Sequence, residues 1–294
     1  MKLLCTLVLL ALYVNSNGQT IAILDAASRA PVSFTTVIAT YKGGEVMHSY
    51  CNQDGSITIT AKSFDTISFT CLGYRDKAIA KASLGTEVLL EPNAYELNEV
   101  VINSPANVVT VGYIDKKKLD FSGTAQGFQD AVYIPNTLGQ RAYVKAFMFK
   151  IVESKNRFAY RLHFYKPSKD KRHPGQEITQ ANIIGFVEKK AKGLTELNLK
   201  GFRVEFPLEG VYVSIEGLGP CDANGAVTDD KNAYITYEVF QSAEPIFCHH
   251  PEYFIEDGWI NENERTLRDY KENYGIEAPK EELRVPSFGL KVAR

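Results

Sequence analysis

Strict alternation of apolar and polar residues, repeated along most of the chain, constrains its fold more than any other feature. Val211, Val213 and Ile215 alternate with Tyr212, Ser214 and Glu216, and Ala233, Ile235, Tyr237 and Val239 keep the same spacing. Ile57 and Ile59 do so between Ser56, Thr58 and Thr60, and Ile67 and Phe69 between Ser68 and Thr70. A period of two is the period of a β-strand, whose successive side chains point to opposite faces, so each run predicts a strand with one buried and one wet face. Phe158, Tyr160, Leu162 and Phe164 line one face of a longer run, and Ala159, Arg161, His163 and Tyr165 line the other. Residues 142–152 are apolar on both faces, as in a central strand covered on two sides. The 16 Tyr and 16 Phe suit pleated, half-buried surfaces. Only residues 262–274 read as a helix: Leu267, Tyr270 and Tyr274 fall at helical spacing, Glu264 and Arg268 form an i,i+4 pair, and Gly275 suits the C-terminal cap.

Turn chemistry and the termini divide this β chain. Met1-Lys2 followed by the apolar stretch Leu3–Val14 and small residues at Ser16-Asn17-Gly18 predicts a secretory leader over 1–18, cleaved after Gly18. Cys5 lies inside the apolar stretch without the small residues that precede a lipid-anchored cysteine. No other stretch approaches the roughly 20 apolar residues of a membrane helix, so the exported chain is expected in the periplasm or at the outer membrane or cell surface. Residues 19–91 read as six or seven short strands, hence a small β-sandwich. Residues 92–112 form an exit segment and linker containing the polar stretch Asn103-Ser104-Pro105-Ala106-Asn107. Residues 113–294 read as a larger antiparallel sandwich of about eight strands, jelly-roll-like, with one short surface helix.

The first domain carries a family resemblance. Its elements come in the order Asp25, Pro31-Val32, Val37, then Asp54-Gly55-Ser56-Ile57, then Asp65-Thr66-Ile67-Ser68-Phe69, then Gly73-Tyr74. Leu90-Glu91-Pro92 and Leu97-Asn98-Glu99-Val100-Val101-Ile102 follow. This pattern over residues 20–102 resembles the carboxypeptidase-regulatory-like domain of Bacteroidetes envelope proteins. It departs from that family at Ala22, where Gly is usual, and at Cys71, where Ser is common. The resemblance implies a transthyretin- and immunoglobulin-like sandwich. It assigns structural roles to Asp54, Gly55, Gly73, Tyr74, Leu97, Glu99 and Val100 and no peptidase chemistry. The domain often precedes the plug and barrel of an outer-membrane receptor, but the roughly 190 residues that remain here are too few for a 22-stranded barrel and plug. Ile134-Pro135-Asn136 and Gly258-Trp259 give the second domain a resemblance to the one that often follows it in envelope proteins, which brings no catalytic residues.

Candidate chemistry is sparse. The formal net charge of −2, with scattered Lys and Arg, excludes the basic face that a nucleic-acid binder needs. His249-His250-Pro251-Glu252 contains the His-x-x-Glu spacing of zinc carboxypeptidases, but no third His follows, and a site would have to borrow His163 or His173. As neighbours on a strand, His249 and His250 are expected to face opposite sides. Asp222, Asn224, Asp229 and Asp230 have the oxygen chemistry of a structural calcium site but not the EF-hand spacing, and they serve equally as turn formers. Cys51, Cys71, Cys221 and Cys248 permit three pairings; Cys71 reads as a buried hydrophobe, and Cys221–Cys248 is the candidate bridge. Tyr165, Tyr212, Tyr234 and Trp259 are the candidate ligand contacts. With no assembled catalytic set, no metal site and no cofactor motif, the expectation is an exported, non-enzymatic binding or scaffolding module. Its partner would be another envelope protein, with a glycan-binding module as the alternative and a metal-dependent hydrolase as the third reading.

Overall fold

The computed structural model describes residues 18–93, 107–228, 230, 233–250 and 258–293. The expected leader through Asn17 and the exit residues Leu97, Glu99 and Val100 lie outside them, as do Asp229 and the Pro251-Glu252 half of the His-x-x-Glu motif. The chain is all-β, with one α-helix among the described residues, and it falls into two compact units.

The first unit has seven strands: β1 (Gln19–Asp25), β2 (Thr36–Tyr41), β3 (Gly44–Tyr50), β4 (Ser56–Ile59), β5 (Thr66–Thr70), β6 (Lys77–Ala80) and β7 (Glu87–Leu90). They form a three-stranded sheet, β4-β1-β7, and a four-stranded sheet, β3-β2-β5-β6. β1 runs antiparallel to β4 but parallel to β7. The apolar phases read from sequence are the ones buried: Ile21, Ile23, Ile57 and Ile59 from one sheet meet Val37, Ala39, Ile67 and Phe69 from the other. The turn before β4 forms as its residues dictate. Asp54 Oδ1 accepts from the Ser56 amide (2.9 Å) and hydroxyl (2.6 Å), and Gly55 takes φ 75°. A Cβ at Gly55 would sit 2.5 Å from the Ile23 carbonyl oxygen, so glycine is needed there for space as well as for its dihedral. Gly73, at φ 86°, turns the chain after β5 and sends Tyr74 toward Asp25. Asp25 Oδ1 also holds the Ala27 and Ser28 amides at 2.9 and 2.6 Å. Asp25, Asp54, Gly55, Gly73 and Tyr74 therefore fix turns and strand ends.

The second unit starts with β8 (Val108–Gly112), β9 (Asp120–Ala125), β10 (Gln129–Ile134), β11 (Ala142–Ile151), β12 (Phe158–Pro167), β13 (Pro174–Glu177), β14 (Ile183–Val187) and β15 (Gly193–Asn198). It continues through β16 (Glu205–Phe206), β17 (Val211–Pro220), β18 (Tyr234–Gln241), β19 (Phe247–His250), β20 (Ile260–Asn261), α1 (Glu262–Tyr274), β21 (Arg284–Pro286) and β22 (Phe288–Ala293). These fifteen described strands correct the expected eight, because pieces such as Pro174–Glu177 and Glu205–Phe206 are too short or too polar to show a period. One sheet follows the order β13-β12-β17-β10-β19-β20 with β14 also on β12. The other follows β21-β18-β11-β22-β8, with β15 and β16 on β11 and β9 on β18. Their facing sides share one core, in which Leu162, Phe164, Val213 and Ile215 of the first sheet meet Phe147, Phe149, Tyr237 and Phe288 of the second.

The wet face expected for β12 and β17 is not wet. All ten residues of β17 and the first eight of β12 are buried. The sheets include a curled half-barrel, and the loop between β12 and β13 covers the polar side of the first sheet. Lys171 O accepts from the Tyr212 hydroxyl (3.0 Å), and Arg172 O accepts from the Cys248 thiol (3.1 Å) and from Asn261 Nδ2 (3.0 Å). Alternation reports two chemically different faces, and here the polar one is covered by its own loops.

Helix α1 occupies the predicted residues, capped by Asn261 Oδ1 accepting the Glu264 amide at 3.2 Å and by left-handed Gly275. Its apolar stripe points outward: Leu267 and Tyr274 are exposed. The buried anchor is Asn263, whose Nδ2 reaches Ser242 O and Glu244 O at 2.7 and 2.9 Å. Glu264 pairs with Arg172 at 3.1 Å rather than with Arg268.

Candidate functional site

Strand register gathers the chemistry of the second unit onto the covered polar face of the first sheet. Arg161 of β12 is level with Glu216 of β17, which is level with Gln129 of β10 and His250 of β19. One pair further along, His163, Ser214, Ala131 and Cys248 line up, and beyond them Tyr165, Tyr212 and Tyr133. Three ranks of residues thus share one surface, including Arg161, Glu216 and two histidines.

Their bonding is specific. Arg161 Nη1 donates to Glu216 Oε2 at 2.9 Å, and Arg161 Nε donates to Asn182 Oδ1 at 2.8 Å. His163 lies between two carboxylates, with Nε2 2.9 Å from Glu216 Oε2 and Nδ1 2.7 Å from Glu177 Oε1. Ionised carboxylates only accept, so both ring nitrogens of His163 carry protons and the ring is an imidazolium. Burial disfavours that charge, but the fields and hydrogen bonds of Glu177 and Glu216 outweigh it and push the pKa up to about 9. The four charges cancel as two cations and two anions. Gln129 Oε1 accepts from Tyr165 Oη (3.2 Å) and Ser214 Oγ (3.1 Å), and the Tyr165 ring stacks on His163 and meets Trp259 edge-on.

A second acid–histidine pair sits on the opposite face of the same sheet. His249 Nδ1 is 2.7 Å from Asp130 Oδ1, and Asp130 Oδ2 accepts from the Tyr237 hydroxyl. The Phe128 ring stacks on His249. Burial opposes protonation of His249, but the bond to Asp130 prevails and raises its pKa. Nearby, Glu262 binds Arg265 through Oε2, and burial raises its pKa. Among the described residues no Ser, Thr or Cys side chain hydrogen-bonds to His249, so the nucleophile of a triad is not supplied there.

These positions decide several expectations. His249 and His250 do face opposite sides: His250 meets Trp259 edge-on on the face that carries Arg161 and His163. His163 and His249 lie three strands apart and on opposite faces, so they cannot share a metal ion. Among the described residues no three His, Cys, Asp or Glu side chains gather as metal ligands. In the Asp222–Asp230 loop, Asp222 O accepts from Arg157 Nη1 at 2.8 Å.

The candidate Cys221–Cys248 bridge is corrected: neither Cys221 nor Cys248 is in a disulfide, and all four cysteines, Cys51, Cys71, Cys221 and Cys248, are buried. Cys248 is level with Ser214 across β10, while Cys221 lies seven residues beyond Ser214, a separation of roughly 20 Å along the strand. Burial pushes the Cys248 thiol up to about 12, which keeps it protonated and non-nucleophilic. The contact candidates divide as well. Tyr165 and Tyr212 are corrected to buried core residues, and Trp259 is half-buried. Tyr234 is 52% exposed on β18 beside the equally exposed Phe121 of β9, which the sequence reading missed. The run Asp120–Ala125 holds Ser122, Gly123 and Thr124 beside one aromatic, too weak a pattern to flag a surface.

Comparison with known proteins gives distant likenesses. No family model and no curated protein matches the chain. Among solved structures, the cysteine protease and lectin-like domains of Cwp84, a surface layer associated protein of Clostridium difficile, align at 7% identity and TM-score 0.39. That match covers 89% of this chain and 58% of the other, so the chain spans little over half of that structure. The clostridial protease after propeptide cleavage aligns at 8% identity and TM-score 0.38, over 94% of this chain and 70% of that one. An infectious bursal disease virus structure aligns at 11% identity and TM-score 0.26, over 94% and 58%. Similarity this low assigns neither a family nor an activity.

Proposed function

We propose that the chain is a non-enzymatic, exported binding module of the bacterial envelope, with a carboxypeptidase-regulatory-like sandwich preceding a second sandwich that meets the ligand. One observation carries this reading: the richest acid–base cluster of the second unit is bonded to itself. His163 has both nitrogens committed to carboxylates and keeps no lone pair with which to accept a proton. Glu216 accepts from Arg161 and His163 through one oxygen in a fully buried position, and Cys248 is a buried protonated thiol. Such a set holds the first sheet of this unit in shape and leaves recognition to the outer surface. Export rests on the leader-like N-terminus, and the family resemblance on Asp25, Asp54-Gly55 and Gly73-Tyr74, whose turn-forming roles suit it.

The test is a gently crosslinked pull-down of the tagged full chain expressed in its native envelope. Recovery of a stoichiometric protein or polysaccharide is expected. Recovery of the chain alone, together with turnover of a peptide, ester or glycoside by the purified protein, would overturn the reading.

A further inference from the structure

The outer face of the β9–β18 pair is built unlike the rest of the surface. Register places Ala125 level with Tyr234, Gly123 with Thr236 and Phe121 with Glu238, so these six residues share one face. The alternate residues Ile235, Tyr237 and Val239 are fully buried on the other face and make the sheet rigid beneath it. The Tyr234 ring leans along this face over Gly123: a Cβ on Gly123 would lie 3.1 Å from Tyr234 Cδ2. Glycine at this point gives the ring a flat bed. Phe121 follows two residues on, about 7 Å further along the strand. Both rings are 52% exposed, and with Ser122 they line a shallow open depression. Polar groups border it: the Thr236 hydroxyl on one side, and at the Phe121 end Glu238 with the Lys118 and Lys150 ammonium groups 3.9 and 4.0 Å away.

Size narrows the occupant. A fully covered aromatic side chain buries roughly 150–250 Å², so two half-exposed rings offer on the order of 200 Å². A stable protein interface needs about 800 Å² from each partner. This patch is too small for a protein and well matched to a ligand of one or two flat rings with polar rims. A pyranose has that form, with an apolar face of C–H groups and hydroxyls around its edge.

We infer that Tyr234 and Phe121 form a glycan-binding platform on which adjacent pyranose units of a polysaccharide stack, their hydroxyls meeting Thr236, Glu238 and the two lysines. The inference rests on the binding-module reading and names its ligand class. The Tyr234 ring supports one sugar over Gly123, and Phe121 supports the next. The lysine-flanked carboxylate at the Phe121 end gives the ligand a direction, since hydroxyls there meet both donors and acceptors.

Native electrophoresis of the full chain through gels containing soluble β-glucan, xylan or chitin oligosaccharides tests this directly. Retardation by at least one of them is expected, with affinity falling about tenfold or more in each of Tyr234→Ala and Phe121→Ala. Both side chains are half-exposed, so the thermal melts should match the parent, which separates lost binding from lost folding. Retardation that survives in the double variant, or none with any glycan, would overturn the platform. If glycans fail while the pull-down still yields a partner, the ligand class is wrong and the binding-module reading stands; if both fail, that reading falls with it.

Discussion

The most consequential residue is Glu216, a fully buried carboxylate on which both Arg161 and His163 converge. Replacing it by Gln would leave two buried cations facing one carboxylate. Breaking a buried ion set in this way costs roughly 3–5 kcal/mol, so Glu216→Gln is expected to lower the denaturation midpoint sharply, as a urea titration would show. A midpoint within about 0.5 kcal/mol of the parent would mean that these charges are not coupled as described. The same cluster makes stability depend on pH. An unfolded His titrates near 6.5, whereas His163 in the fold titrates at about 9. A pKa raised on folding contributes its full stabilisation below 6.5 and loses it as pH climbs through 9. Denaturation midpoints should therefore fall between pH 6.5 and 9.5, by on the order of 2–3 kcal/mol from this group, and His163→Gln should flatten that slope. None of this was legible in advance. Arg161 and His163 were placed on the correct face, but their partners Glu177 and Glu216 come from other strands, and alternation alone assigns a polar row to solvent.

At the scale of elements, local chemistry was more readable where it was self-contained. The Asn52–Gly55 turn depends on four adjacent residues, and it formed as read. Gly55→Ala forces a positive φ on an L-residue and drives its Cβ toward the Ile23 carbonyl, so a loss of roughly 1–3 kcal/mol is expected in thermal denaturation. Helix α1 shows the opposite case. Its bounds and C-terminal cap were legible because they follow from the helix-forming run and Gly275, while the N-cap Asn261 was not read. Its orientation was not, because the docking contact is the polar Asn263 holding two carbonyls, and no hydrophobic period marks that. Asn263→Ala should cost roughly 1–3 kcal/mol by leaving those carbonyls unsatisfied, while Leu267→Ala and Tyr274→Ala on the exposed stripe should stay within about 0.5 kcal/mol. Short strands such as β13 and β16 escaped notice because two to four residues carry no period, yet β13 brings Glu177 to His163.

For the whole molecule, the all-β class and its two-part organisation followed from periodicity and turns, and the covering of the polar face of the second unit's first sheet did not. That cover is a long-range property: the loop between β12 and β13 brings the carbonyls of Lys171 and Arg172 to Tyr212 of β17 and Cys248 of β19. It converts an apparent wet face into a sealed layer and removes Tyr165 and Tyr212 from the surface. It also takes His163 out of acid–base chemistry, which is the central claim of this account. Nitrogen-15 NMR of the imidazole side chains in the full chain tests that claim most directly. Both nitrogens of His163 should remain protonated from pH 5 to pH 8, with the ring titrating only as pH approaches 9. A His163 ring that is neutral at pH 7.5, with one nitrogen free to accept a proton, would contradict the account and make this cluster a candidate for acid–base catalysis.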